Sequence, residues 1–221
     1  VGDEAGELGL LYDPLGDTPM GSDLILPGKP WEVWAVSSEE GSWTALGTEG
    51  SGPELSWTEL SGPDVQAARG EASDALIRLS WTVEVPTQGS GALLRLELEA
   101  LEDLTDLQVM RAIDVDVDAD FGSYATDNGA EDELAWASSQ VSDKTLVLFA
   151  EEGQGGVCGG WCSSPYEVLV GTAGEVAGDR VVGAAVEVGD LAAGGIFSDG
   201  LSQVDERAIS DASGYLDLEG Y

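Results

Sequence analysis

Histidine is absent from the 221-residue sequence, and lysine occurs only at Lys29 and Lys144. The missing imidazole excludes Ser-His-Asp and Cys-His nucleophilic chemistry and histidine-held catalytic zinc. Cations as a whole are scarce: 8 Lys and Arg face 43 Asp and Glu, a formal charge of -35. A surface of that sign repels nucleic acid and anionic lipid and stays soluble by self-repulsion. The same repulsion works against the compact state unless cations screen it, and near 1 M salt the Debye length falls to about 3 Å. The charge therefore predicts surroundings rich in salt or in divalent cation.

Long apolar runs are missing too. None approaches the roughly 18 residues that read as a membrane-spanning helix. The start at Val1, with no initiator Met or leader-like pattern, reads either as the processed end of an exported protein or as a trimmed piece of a longer chain. Cysteine is limited to Cys158 and Cys162, in Gly155-Gly156-Val157-Cys158-Gly159-Gly160-Trp161-Cys162. Two thiolates without histidine cannot complete a four-ligand zinc site unless carboxylates or a second chain contribute. The proximity predicts a local disulfide, and closing so short a loop contributes about 2 kcal/mol in the chain-entropy picture. Two free thiols in a glycine-rich loop are the alternative. A redox pair is a further one, although the spacing has one residue more than the thioredoxin-type motif. No phosphate-binding loop is present, because the paired glycines lack the lysine and the strand-to-helix setting.

What is present points to strands. Hydrophobic residues make up 43% of the chain, far more than an acidic disordered tail carries, so a core can form. Thirty-one glycines without a collagen period imply many tight turns. Period-two alternation is clearest in Leu76-Ile77-Arg78-Leu79-Ser80-Trp81-Thr82-Val83 and in Leu94-Arg95-Leu96-Glu97-Leu98-Glu99. Turn residues Pro86 to Gly91 lie between these runs, which predicts a hairpin. Further strands are predicted at Leu8–Tyr12, Trp31–Ser37, Ser42–Leu46, Glu54–Leu60, Leu107–Val117, Glu133–Ala137, Thr145–Ala150, Tyr166–Val170 and Val181–Val188, and near Gln203–Ile209 and Tyr215–Leu218. Short strands at such spacing predict an all-β chain, one antiparallel β-sandwich domain over residues 1–221.

Two constellations are candidates for chemistry. In Ile113-Asp114-Val115-Asp116-Val117-Asp118-Ala119-Asp120, a strand would turn Asp114, Asp116, Asp118 and Asp120 to one side, about 6.7 Å apart. Calcium takes six to eight hard oxygens, and Asp127, Asn128, Glu131 and Asp132 offer more. The spacing is not that of an EF-hand, because Phe121 stands where the loop needs glycine. The alternative is a solvated acidic edge that discourages strand-to-strand aggregation. The second constellation is aromatic: among seven tryptophans, Trp161, Trp31 and Trp34 are the candidates for stacking on sugar rings, against core packing for the rest. Trp31 and Trp34 have opposite parity, so at most one faces a core. Carboxylate pairs can hydrolyse glycosides, but 43 acids single out no pair, and no enzyme is predicted.

Arg111-Ala112-Ile113-Asp114-Val115-Asp116, then Thr126-Asp127-Asn128, resembles an Arg-x-x-Asp-x-Asp…Thr-x-Asn pattern of β-sandwich domains in secreted bacterial cell-surface, adhesin-type proteins. The run Val182 to Gly194 is similar to their penultimate strand and turn, while Gly195 to Asp199 departs from their aromatic last strand. The resemblance implies a sandwich fold and no activity. The resulting expectation is a secreted structural or adhesive subunit at the cell surface, adapted to salt or calcium. It would assemble with copies of itself through exchange of its terminal strands. The rival expectation is a carbohydrate-binding module for a surface glycan.

Stability should rise with salt. Melting compared in dilute buffer, in molar NaCl and in millimolar CaCl2 separates screening from a specific ion, which adds RT ln(1 + [L]/Kd). If calcium does no more than its ionic strength predicts, Asp114, Asp116, Asp118 and Asp120 are an acidic face only.

Overall fold

Alternation along each strand sorts side chains to two faces, and in the strands Ile77–Pro86 and Ala92–Ala100 the face carrying Ile77, Leu79, Trp81, Leu96 and Leu98 is apolar and buried. A computed structural model describes residues 11–12, 22–23, 32–46, 49–50, 56–63, 65–86, 92–115, 126–140, 145–150, 153–160, 162, 164–171, 174–178 and 180–205. The first strands are β1 (Leu11–Tyr12), β2 (Ser22–Asp23), β3 (Glu32–Ser37), β4 (Ser42–Leu46), β5 (Glu49–Gly50) and β6 (Ser56–Glu59). The long central strands follow as β7 (Val65–Ser73), β8 (Ile77–Pro86), β9 (Ala92–Ala100) and β10 (Leu104–Asp114). Then come β11 (Thr126–Glu131), β12 (Leu134–Ser139), β13 (Thr145–Ala150), β14 (Gln154–Cys158) and the helix α1 (Pro165–Leu169). The last strands are β15 (Gly174–Gly178), β16 (Val181–Leu191) and β17 (Ile196–Asp205).

All described pairings are antiparallel. A six-stranded sheet runs β14-β16-β10-β3-β4-β5, and a nine-stranded sheet runs β15-β11-β12-β13-β17-β9-β8-β7-β6. The nine-stranded sheet joins two meanders through β17, which pairs with β13 on one side and β9 on the other. β1 and β2 pair only with each other in a separate small sheet. Together the two large sheets make an all-β sandwich. Among the described residues no helix is long and apolar enough to cross a membrane.

The main core lies between the sheets. Val36, Val109, Ile113 and Val182 come from the six-stranded sheet; Ile77, Leu79, Leu96, Leu98 and Leu148 come from the nine-stranded one. A second, smaller core sits on the other side of the six-stranded sheet, where Val33, Ala35, Met110, Ala112 and Ala185 meet Cys158, Cys162 and Val168. Along β10, Leu107, Val109 and Ile113 face the first core and Met110 and Ala112 the second, so this strand packs apolar side chains on both sides.

The disulfide Cys158–Cys162 is formed, with Cα atoms 5.8 Å apart, and both cysteines are buried in the smaller core. Where Tyr166–Val170 reads as a strand in sequence, the chain instead forms α1. Its cause is local: Pro165 occupies the first helical turn, and the Glu167 carboxylate accepts from the Ser164 amide at 3.2 Å. α1 docks because Gly156 and Gly183, register partners across β14 and β16, clear a seat for Val168. A Cβ on Gly156 would lie 2.3 Å from the Val168 carbonyl oxygen, and one on Gly183 would lie 2.7 Å from its Cγ2.

Gly156→Ala should therefore cost about 1–3 kcal/mol by overpacking, read as a lower midpoint in urea. Gly160→Ala meets nothing within 4 Å and should stay within about 0.5 kcal/mol of the parent.

Candidate functional site

The hairpin read from sequence is present, and its register brings polar side chains of three strands onto one outer face. Ser80 of β8 stands opposite Glu71 on β7 and Glu97 on β9, and Arg78 stands opposite Glu99. The apolar partners Ile77, Leu79, Leu96 and Leu98 point the other way, into the core. Small Ser80 on the middle strand, flanked by long side chains, makes an open groove of about 470 Å³ whose lining includes Arg78, Glu99 and Ile196. Arg69 lies along it. Its Nη2 donates to Ser80 Oγ at 3.1 Å, its Nε is 3.1 Å from Glu71, and Nη2 is 4.0 Å from Glu97. Arg78 pairs with Glu99, and Arg95 with Glu84 at 3.7 Å.

Three of the six arginines of the chain thus stand on adjacent strands of one face. Pairs this exposed contribute about 0–1 kcal/mol each, so they order the groove more than they hold the fold. Sequence reasoning missed the site because Arg69 and Glu71 lie on β7, which carried no strand signal. The available signal was the polar half of the hairpin, Arg78-Ser80-Thr82-Glu84 beside Arg95-Glu97-Glu99.

The turn between β7 and β8 is fixed by Asp74, whose carboxylate accepts from the amides of Leu76 and Ile77 at 2.7 and 2.9 Å. It also accepts from Trp43 Nε1, tying the groove's sheet to β4 of the other. Burial pushes the Asp74 carboxyl upward, but the donors Ile77, Trp43 and Leu76 outweigh it and hold the group below its ordinary value of 3.8.

The predicted site residues fall elsewhere. Asp114 ends β10 between the buried Ile113 and Val115, as the alternation requires; Asp116, Asp118 and Asp120 lie outside the described residues. Asp127 is exposed on β11 and accepts from Gln140 Nε2 at 2.9 Å. Asn128, read as a further oxygen donor, is fully buried, and its amide donates to Gly178 O at 2.7 Å while Thr126 Oγ1 donates to its Oδ1 at 2.8 Å. Asp132 makes the β11–β12 turn at φ 49°. Among the described residues no three acidic or thiol groups converge to hold a metal. Trp34 packs against the main core, edge-on to the buried Trp81 with centroids 5.5 Å apart; Trp31 and Trp161 lie outside the described residues.

No family model matches the sequence, and no curated protein matches it. Among solved structures, a bacterial glucoamylase complexed with acarbose superposes with a TM-score of 0.56 at 12% identity. The match covers 86% of this chain and 29% of that one. The likeness is one of fold, and this chain spans under a third of the enzyme's length.

Asp74→Ala should cost about 1–3 kcal/mol at neutral pH, because Trp43 and two turn amides lose an ionised acceptor. A depressed folded pKa means that this contribution is present above the ordinary value and lost as pH falls through the folded one. The difference between variant and parent in urea titrations should accordingly shrink below pH 3.8.

Proposed function

We propose that the chain is an extracellular, salt-adapted β-sandwich module that acts by binding rather than by turnover, in a glycan-processing setting. The observation that carries this reading is the asymmetry of the fold likeness. A fold that fills 86% of this chain fills 29% of a glucoamylase chain, so the likeness takes in most of this chain and under a third of a larger protein of glycan chemistry. Support for export comes from the Cys158–Cys162 bridge, since disulfides persist in oxidising compartments. Support for a salty medium comes from the charge of -35. Calcium held by the Asp114-to-Asp120 segment is part of the proposal as a stabilising ion and has no role in binding glycan.

A self-assembling, adhesin-like surface subunit is the second reading. It draws support from the sheet ends: among the described residues β15 and β6 each have one hydrogen-bonded neighbour, and an edge with unpaired main-chain groups can accept a strand from a neighbouring copy. Its terminal donor segments are only partly within the described residues. Leu11–Tyr12 pairs with Ser22–Asp23, and 215–218 lies outside them.

Light scattering on concentrated protein in molar NaCl decides between the two. A monodisperse monomer is the expected result. Concentration-dependent polymer would replace the module reading with the surface subunit.

A further inference from the structure

We propose that the groove on the outer face of β7, β8 and β9 is a binding site for a neutral, polyhydroxylated ligand, a short oligosaccharide. The proposal rests on the module reading and adds the place and the ligand class. The volume of about 470 Å³ falls within the range of roughly 300–1,000 Å³ of small-molecule clefts. Its chemistry narrows the ligand further.

An anion is disfavoured twice, by the field of a chain charged -35 and by Glu71, Glu97 and Glu99 set against the two guanidinium groups of the groove. A metal cation finds the carboxylates engaged: Arg69 lies between Glu71 and Glu97, and Arg78 is paired with Glu99. A largely apolar ligand meets one exposed apolar side chain, Ile196 at 63%, with Ala72 and Leu79 of the lining buried, among charged and hydroxyl groups.

A sugar fits each of these features. Guanidinium offers up to five N–H donors in a fixed fork, and each carboxylate accepts at two oxygens, so neighbouring hydroxyls can donate to one wall and accept from the other. The ion pairs already hold these side chains, which lowers the ordering cost on binding. Ile196 supplies an apolar edge for the C–H face of a ring. None of the tryptophans Trp31, Trp34 and Trp161 is needed, which separates this site from an aromatic platform.

A neutral ligand also predicts a particular salt response. Contacts with hydroxyls carry no net charge across the interface, so affinity should survive where ionic attraction is screened. That property suits the salt-adapted module proposed above.

The test is titration calorimetry of the full chain with maltotriose, cellotriose and xylotriose as probes, in dilute and in molar NaCl. Saturable binding of at least one probe is expected, with affinity equal within about twofold in the two salts. Glu97→Gln and Arg69→Leu should each weaken it by about tenfold or more, the loss of a hydrogen bond to a charged group. Glu84→Gln, on the same face but outside the groove, should bind as the parent does, and all three should melt within a few degrees of it. Absence of binding by the parent to every probe overturns the proposal. Binding undiminished in both Glu97→Gln and Arg69→Leu overturns the groove while leaving the module reading intact. Binding of these neutral probes that fades in molar salt overturns the claim that the groove's contacts survive screening. Failure of the module reading itself is seen separately, as polymer in light scattering.

Discussion

Scarcity of cations governs how this protein holds its own charge. With 8 basic residues for 43 acidic ones, an ordered carboxylate must usually find a neutral donor, and the main chain supplies it. Glu40 accepts from the Thr105 amide at 2.8 Å, Asp103 from Ala193 at 2.9 Å, and Asp190 from Asp106 at 3.2 Å. Asp74 and Glu167 do the same at a turn and at a helix start. The Thr105 amide is the main reason the Glu40 carboxyl lies below its ordinary value. Each contact satisfies an orphan N–H where a strand ends, so acid that would otherwise only repel becomes a fastener for turns. The clamps also tie elements far apart in sequence: the β3–β4 turn to the start of β10, and the ends of β10 and β16 to each other.

Fastened turns allow the sandwich to carry two cores of different kinds. The main one is large side chains between sheets, whereas the smaller one outside the six-stranded sheet depends on absence of side chains at Gly156 and Gly183. A helix of five residues has no stability of its own. Its position comes from Val168 in that seat and from the Cys158–Cys162 bridge immediately before it. The result is that one outer face of the sandwich is covered by α1, while among the described residues the outer face of β7, β8 and β9 is polar and open.

What was legible in the sequence follows from where packing obeys a period. Ser42–Leu46 and Thr145–Ala150 are strands at the predicted bounds, and β8 and β9 pair as the alternation implies, because each buries one apolar face. β7 was illegible: it is built of small and charged residues, and Gly70 stands opposite Trp81, so the neighbour's ring supplies the bulk that β7 lacks. Glycine-rich β14 and β15 are strands for the same external reason, since pairing context overrides propensity. The Thr-x-Asn pattern was visible, but its meaning was not. Thr126 and Asn128 bond each other and the carbonyl of Gly178, which fastens β15 to the sheet. The groove was hidden because half its wall belongs to β7, and cross-strand neighbours are invisible until the register is known.

Two populations of charge on the same molecule are then distinguished by distance. In molar salt the Debye length is about 3 Å, so repulsion between carboxylates spread over the surface is largely removed. Contacts at 3.1 Å, such as those of Arg69 with Glu71 and Ser80, lie at that limit and keep their geometry, because strand register fixes where the groups stand. The diffuse acid and the paired groups thus respond differently to salt, and three of the six arginines, Arg69, Arg78 and Arg95, stand in the second population on one face. Concentrated salt silences the first population and leaves the second in place.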